Sequence, residues 1–184
     1  MIKVENVCFQ YKNSEVKVLD HLNFSVNDGE LVAIVGSNGS GKSTIGKLLA
    51  NIIKLKQGNI FIDDLDISNH KNRQILQNMV GIVFQNPENQ IIFDHIDDEF
   101  AFFLKDLSKD ERENRINTAL AQVDMLSAKD KELYTLSLGQ KQRIMIAEIL
   151  AKKPKYIILD EPTTMIDSQG KETIYHIIAQ LKLI

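Results

Sequence analysis

The residues best suited to chemistry stand at 36–44: Gly36, Ser37, Asn38, Gly39, Ser40, Gly41, Lys42, Ser43 and Thr44, in the spacing G-x-x-x-x-G-K-S. Glycines let a backbone curl so that successive N–H groups face one anion with no Cβ in the way. A continuous apolar run at 31–35 leads in and helical spacing follows, which is the setting in which this pattern cradles phosphate. The helix start adds amides that lack intrahelical acceptors, and the positive end of a dipole. Lys42 brings a formal charge suited to β- and γ-phosphates. Ser43 brings a hydroxyl for Mg²⁺, a cation that keeps oxygen ligands. The plain alternative is a glycine-rich turn with a chance Lys-Ser, and the flanking elements weigh against it.

A second group of reactive side chains closes the run Tyr156-Ile157-Ile158-Leu159 with Asp160, Glu161 and Pro162. Ligands of open α/β sheets bind outside the carboxyl ends of strands, so these carboxylates stand where a ligand is expected. Asp160 reads as a holder of Mg²⁺, largely through water. Glu161, one residue on, reads as the general base that takes the proton of an attacking water. Without the phosphate loop, a solvated acidic turn would remain a competing explanation of both. Gln85 follows an apolar stretch at 81–84 and offers an amide for Mg²⁺ and for orienting water. Alone, it reads as a polar loop residue.

The elements that must position these groups follow from periodicity. Residues 2–9 and 22–26 alternate apolar with polar and predict half-exposed strands. The run at 31–35 predicts a buried strand feeding the glycine loop. Residues 43–53 place Ile45, Leu48, Leu49, Ile52 and Ile53 on one helical face. Residues 58–67 predict a hairpin turning at Asp63-Asp64. A short helix is expected at 73–78, a buried strand at 80–84 and two helices within 96–126, the second with Ile116, Ala119, Leu120 and Val123 on one face. A helix at 138–152 stops before Pro154. A buried strand follows at 156–159, and a last helix from Lys171 to Leu183. This order predicts an α/β core, its central sheet mostly parallel, with a helical insertion between about 86 and 138.

Composition sets outer limits. The chain has 184 residues, enough for one domain, with 43% apolar and 26% charged side chains. A net charge of −3 gives no basic field for nucleic acid. The one cysteine, Cys8, excludes an internal disulfide framework and reads as a small buried side chain that suits a reducing compartment. The first residues carry charge without an apolar stretch behind them, so no signal peptide is expected. No run approaches the ~18 apolar residues of a membrane span; the best candidate, 143–151, is short and holds Glu148.

The ordered set resembles the ABC ATPases: the phosphate loop (Walker A) at 36–44, Gln85 after a strand, Leu136-Ser137-Leu138-Gly139-Gln140-Lys141-Gln142-Arg143, then Leu159-Asp160-Glu161-Pro162 (Walker B). The L-S-G-G-Q signature separates these ATPases from other phosphate-loop proteins, and the likeness covers nearly the whole chain. Val83-Phe84-Gln85-Asn86-Pro87-Glu88-Asn89-Gln90, Asp97-Asp98-Glu99-Phe100-Ala101-Phe102 and Glu161-Pro162-Thr163-Thr164-Met165-Ile166-Asp167 are similar to the energy-coupling-factor group, including its cobalt-type members. The resemblance implies an α/β P-loop NTPase with a mixed central sheet, an N-terminal antiparallel β subdomain and an inserted helical subdomain. One ABC ATP-binding domain would span 1–184. Its RecA-like core with the antiparallel part would take 1–85 and 139–184, and the helical subdomain 86–138.

The same resemblance implies an ATPase that drives an importer of a vitamin or a transition-metal ion, with ATP and Mg²⁺ bound. Its catalytic residues are Glu161, Lys42 and Gln85, and its metal ligands Ser43, Gln85 and Asp160. Tyr11 is placed where the family stacks adenine on an aromatic ring. Ser137, Gly139 and Gln140 would meet the γ-phosphate held by a second subunit, and Asp167 would cross the dimer seam. Gln85 and the helical block would touch the membrane subunits. The implied partners are a second ABC ATPase, as a heterodimer, an integral membrane coupling subunit and a substrate-binding membrane subunit. The implied location is the cytoplasmic side of the cell membrane, peripherally.

Two departures qualify these expectations. Leu138 stands where the signature has glycine, and leucine does not adopt φ > 0 cheaply. The family pattern also continues to a further buried strand and a histidine on the γ-phosphate. The sequence stops at Ile184 before both, which reads as a C-terminal truncation that leaves the last helix's apolar face (Ile174, Ile177, Ile178, Leu181) uncovered and slows hydrolysis. His176 falls on that helix and reads as plain surface. The alternative function is therefore a degenerate or truncated subunit that binds ATP and hydrolyses it poorly. A chromosome or repair ATPase would need long coiled coils that the sequence lacks.

Overall fold

The computed structural model describes residues 1–12, 14–164 and 166–181. Two compact units divide it, Met1–Val80 and Gly81–Ile184.

The first unit is built on a four-stranded antiparallel sheet in the order β2-β1-β3-β4, with β1 at Ile2–Phe9, β2 at Leu19–Val26, β3 at Gln57–Ile62 and β4 at Leu65–Asp66. Its interior side chains alternate along the strands as a half-buried sheet requires: Ile2, Val4, Val7, Ile60 and Ile62 are all buried. The hairpin turns on Asp63 and Asp64, whose φ values of 47° and 64° are the two positive angles of a type I′ turn. Helix α1, Lys42–Leu49, buries Ile45, Leu48 and Leu49. It ends earlier than the apolar spacing predicted, because Asn51 takes a left-handed φ of 54°; Ile52 and Ile53 fall beyond the end. The short helix α2 spans Arg73–Met79.

One expectation fails here. The run at 31–35 forms no strand, and Leu31 and Val35 are 61% and 88% exposed. An apolar run records what a strand would bury. It does not supply the neighbour whose N–H and C=O groups complete the ladder, and among the described residues no strand pairs with this segment.

Strand β5, Val80–Val83, starts at the last residue of the first unit and otherwise belongs to the second, where it pairs with β6, Tyr156–Leu159, as a two-stranded sheet. Around them stand α3, Ile96–Phe103; α4, Lys109–Gln122; α5, Leu138–Lys152; and α6, Ser168–Leu181. Val83, Phe100, Leu120, Ile144, Met145 and Ile174 share one buried core. β6 is half-buried along its length rather than buried. Helix α5 stops where Lys153 turns left-handed at φ 54°, just before Pro154.

The expected bare face of α6 is another correction. Ile174 and Ile177 are 0% and 4% exposed, in one cluster with Val83, Ile146 and Ile149, and Ile178 packs against it. β5, β6 and α5 pack on the described part of that face. The side chain of Leu181, and Leu183 at the expected helix end, lie outside the described residues, as does Met165. His176 is exposed on α6, beside the Gln180 amide, as the sequence suggested.

Candidate nucleotide site

In the first unit the glycine loop opens directly into α1. Residues 37–40 are exposed, and a turn closes where Ser40 N–H donates to Ser37 O at 3.2 Å. Gly41 is the helix cap, at φ 97°. A Cβ there would lie 2.8 Å from Leu19 Cδ2 and 3.0 Å from Val18 O, so glycine is required by both angle and space. Having no side chain, Gly41 cannot cap α1, and the first turn carries no acidic residue. The amides and the dipole at this end suit an anion. Lys42 folds back over the loop, its Nζ donating to Gly36 O at 3.0 Å and Ser37 O at 3.1 Å. An ammonium and exposed amides fit a phosphate chain.

Tyr11 belongs to the same unit. Its hydroxyl lies 3.0 Å from Thr44 Oγ1 in the first turn of α1, and its ring meets Phe9 edge-on at 5.0 Å. The residue expected to stack a base thus stands against the phosphate helix, 42% exposed. Ser43, next to Thr44 in sequence, carries the hydroxyl expected to meet Mg²⁺.

In the second unit the strand tip brings two predicted residues together. Asp160 N–H donates to Val83 O at 2.9 Å, extending the β5–β6 pairing by one residue. Glu161 then turns left-handed at φ 48°, a conformation a glutamate adopts under constraint. Its Oε2 accepts from Gln85 Nε2 at 3.1 Å and from Thr164 Oγ1 at 3.2 Å. Gln85 and Glu161 are separated by 76 residues in sequence and meet because β5 and β6 are neighbours. Within this unit Asp160 and Gln85 offer a carboxylate and an amide, oxygen donors of the kind Mg²⁺ takes.

The signature residues start α5. Ser137 Oγ accepts from Gln140 N–H at 3.3 Å, and Gln140 Oε1 accepts from Ser137 N–H at 3.0 Å, a reciprocal capping box. A Cβ on Gly139 would press on Ile166 at 3.2 Å. Leu138 is the first helical residue and is absent from the positive-φ positions, so the expected backbone penalty does not arise; its bulk, 40% exposed, remains. Asp167, at the start of α6, accepts from Gly170 N–H at 2.9 Å.

Sequence reasoning passed over the side chains that fix Gln85. Gln142 on α5 donates to Phe84 O at 2.9 Å, and Gln90 Oε1 accepts from Phe84 N–H at 3.3 Å. Lys141 reaches Glu88 at 2.8 Å. Beneath them lie Glu99 and Glu148, both buried. Burial raises the Glu99 carboxyl above the usual carboxylate range, against hydrogen bonds from Phe93 and Ile92 N–H. Burial, aided by the nearby charge of Glu99, holds Glu148 well above that range. Glu148 Oε2 and Gln142 Oε1 have no hydrogen-bond partner among the described residues. The only signal in the sequence was a glutamate and a glutamine on the apolar side of a predicted helix.

The family model described as ABC transporter matches residues 19–164. This chain belongs to the ABC transporter family. Among curated relatives of the cassette, the "Energy-coupling factor transporter ATP-binding protein EcfA1" of Fusobacterium nucleatum is 44% identical, over 98% of the chain and 69% of the relative. Among solved structures, cbiO1 from Clostridium perfringens, part of the ABC transporter complex cbiONQ, aligns at a TM-score of 0.84 and 34% identity, covering 98% of the chain and 73% of the other. The ATP-binding cassette MJ0796, solved as a post-hydrolysis dimer bound to ADP and Pi, aligns at a TM-score of 0.88 and 28% identity, covering 99% and 83%. The cassette is thus an ABC-type ATPase with the P-loop NTPase fold, in the energy-coupling-factor group.

Proposed function

We propose that the chain is the ATP-binding and ATP-hydrolysing subunit of an energy-coupling-factor importer, driving uptake of a vitamin or a transition-metal ion. The reading is carried by the hydrogen bond between Gln85 and Glu161 at the tip of β6, which sets an amide beside the carboxylate expected to act as base. The phosphate chain of ATP lies on the amides of 36–44 with Lys42 on the β- and γ-phosphates, and Tyr11 stacks on the base. Ser43, Gln85 and Asp160 would hold Mg²⁺, which would supply charge neutralisation on the phosphates. Gln85 Nε2 and Thr164 Oγ1 hold Glu161 so that Oε1 can take a proton from water attacking the γ-phosphate. Ser137, Gly139 and Gln140 serve the nucleotide of a paired ATPase, and Asp167 lies at that seam.

On this reading 1–184 acts as one ABC ATP-binding domain, with 86–138 as its helical subdomain. No described helix is long and apolar enough to cross a membrane. The membrane coupling subunit and the substrate-binding subunit are separate chains, and this one sits peripherally on the cytoplasmic side. A second reading, a subunit that binds ATP and hydrolyses it poorly, is favoured by the exposed Leu138 side chain at the start of α5. The deciding experiment measures ATP binding and phosphate release in the complex assembled with its partners. Glu161→Gln should keep ATP affinity and lose turnover by about 10²–10⁴-fold. Equal turnover in variant and wild type overturns the role of Glu161. A wild-type complex that binds ATP without turnover selects the second reading.

A further inference from the structure

β1 and β2 do not pair evenly. Val7 faces Leu22 and Phe9 faces Leu19, so Cys8 alone on β1 is opposed by both Asp20 and His21 on β2. Two residues against one is a β-bulge, a feature that re-aims side chains and recurs beside functional sites. His21 fills the left-handed position of this bulge at φ 50°, where glycine or asparagine costs less.

The bulge gathers three different ligand types. Cys8 Sγ and Asp20 Oδ1 are 3.7 Å apart, Asp20 Oδ1 and His21 Nε2 are 3.7 Å apart, and the three donor atoms all lie within 4.8 Å of one another. A tetrahedral ion with bonds of about 2.0–2.3 Å separates its donors by about 3.3–3.8 Å. Two of the three separations already have that length, and a small turn of an exposed imidazole adjusts the third. The ring is also prepared for the task. His21 Nδ1 lies 2.5 Å from Asn6 Oδ1, an acceptor; in the neutral ring with its proton on Nδ1, the Nε2 lone pair is left for a metal. Such an outer partner is the usual companion of a metal-binding histidine. Cys8 is buried while Asp20 and His21 are exposed, so the site has a closed floor and an open rim with room for water as fourth ligand. The other contacts are His21 N–H, which donates to Cys8 Sγ at 3.2 Å, and Lys17 Nζ, which sits 3.0 Å from Asp20 Oδ1.

We propose that Cys8, Asp20 and His21 form a binding site for a thiophilic divalent cation, Zn²⁺ above all. Thiolate with imidazole selects zinc over the hard Mg²⁺ expected at the nucleotide. On binding, the Cys8 S–H bond breaks, its proton leaves to water and a sulfur–metal bond forms. The Lys17 ammonium gives up Asp20 to the dication. The bound ion ties β1 to β2 across the bulge, three residues before Tyr11.

The test uses Co²⁺ as a spectroscopic probe on the purified, nucleotide-free chain, with Zn²⁺ as competitor. Expected are one equivalent of Co²⁺ with a thiolate-to-cobalt charge-transfer band, and loss of that band on adding Zn²⁺. Cys8→Ser should abolish the band. His21→Asn, which tolerates the left-handed backbone, should weaken Co²⁺ binding by more than the roughly 10–100-fold that losing an outer partner costs. Co²⁺ at the phosphate loop produces no such band, since no cysteine is there. A wild-type chain without the band, or a band of unchanged affinity in His21→Asn, overturns the proposal. In either case the cluster is only a bulge held by hydrogen bonds.

Discussion

Glu161 and Glu148 are glutamates on neighbouring elements with opposite circumstances. Glu161 is held in a left-handed turn by Gln85 and Thr164, an arrangement worth about 1–3 kcal/mol of backbone strain that its neighbours sustain. Glu148 is buried with one oxygen unpartnered among the described residues, and burial lifts its carboxyl well above the ordinary 4.5. Glu99 faces it from α3, and Lys152 on its own helix is depressed by burial. Between about pH 4.5 and the raised folded value, the folded chain keeps a proton that the unfolded chain has lost, so stability falls as pH rises through that window. Glu148→Gln removes this titration. Its melting temperature should match wild type near pH 4.5 and exceed it by a growing margin toward neutral pH, each kcal/mol appearing as about 2–4 °C in a chain of this size. Thermal scans across pH decide the matter, and parallel curves would mean that Glu148 is not protonated in the fold.

At the scale of elements, the hairpin between β3 and β4 carries aspartates at both left-handed positions of its turn. Asp64 is exposed, whereas Asp63 also accepts from the N-terminal ammonium of Met1. Asp64→Gly relieves one unfavourable φ without touching that contact. It should stabilise the chain by up to about 1 kcal/mol, read from denaturant midpoints; a lower midpoint would show that the turn depends on the Asp64 side chain. This hairpin was legible because a polar pair between two apolar runs is a local signal. α4 was legible because its buried Ile116, Ala119 and Leu120 recur at helical spacing, and the end of α5 because Pro154 follows it. The clamp on Phe84 was not. Gln90 and Gln142 are polar residues without a period, and their shared target appears only once α5 and the segment after β5 are neighbours. The start of α5 was legible in position, but Ser137 and Gln140 were read only as phosphate contacts, although the same spacing spells a capping box. The strand at 31–35 was misread because apolarity is a property of the segment, and pairing a property of its neighbours.

At the scale of the molecule, the fold places the phosphate loop and Tyr11 in one unit, and Glu161, Gln85 and the signature in the other. ABC membership adds a demand that a single chain does not meet, since the proposed site of each cassette is completed by another. The run Leu31-Val32-Ala33-Ile34-Val35 bears on how the chain behaves in company. Rich in β-branched residues, uncharged and exposed, it is the kind of window that seeds strand-to-strand association between copies. Concentration then becomes a variable of its own: the crowding that favours assembly with partners also favours clumping with kin. Placing a charge at its most exposed point, Val35→Lys, should raise the protein concentration at which light scattering begins, without altering the far-UV circular dichroism of the dilute chain. Unchanged scattering onset would clear this segment and send the search for the colloidal weak point elsewhere. If the onset moves, the five residues set a ceiling on how much free cassette a solution can hold before its partners arrive.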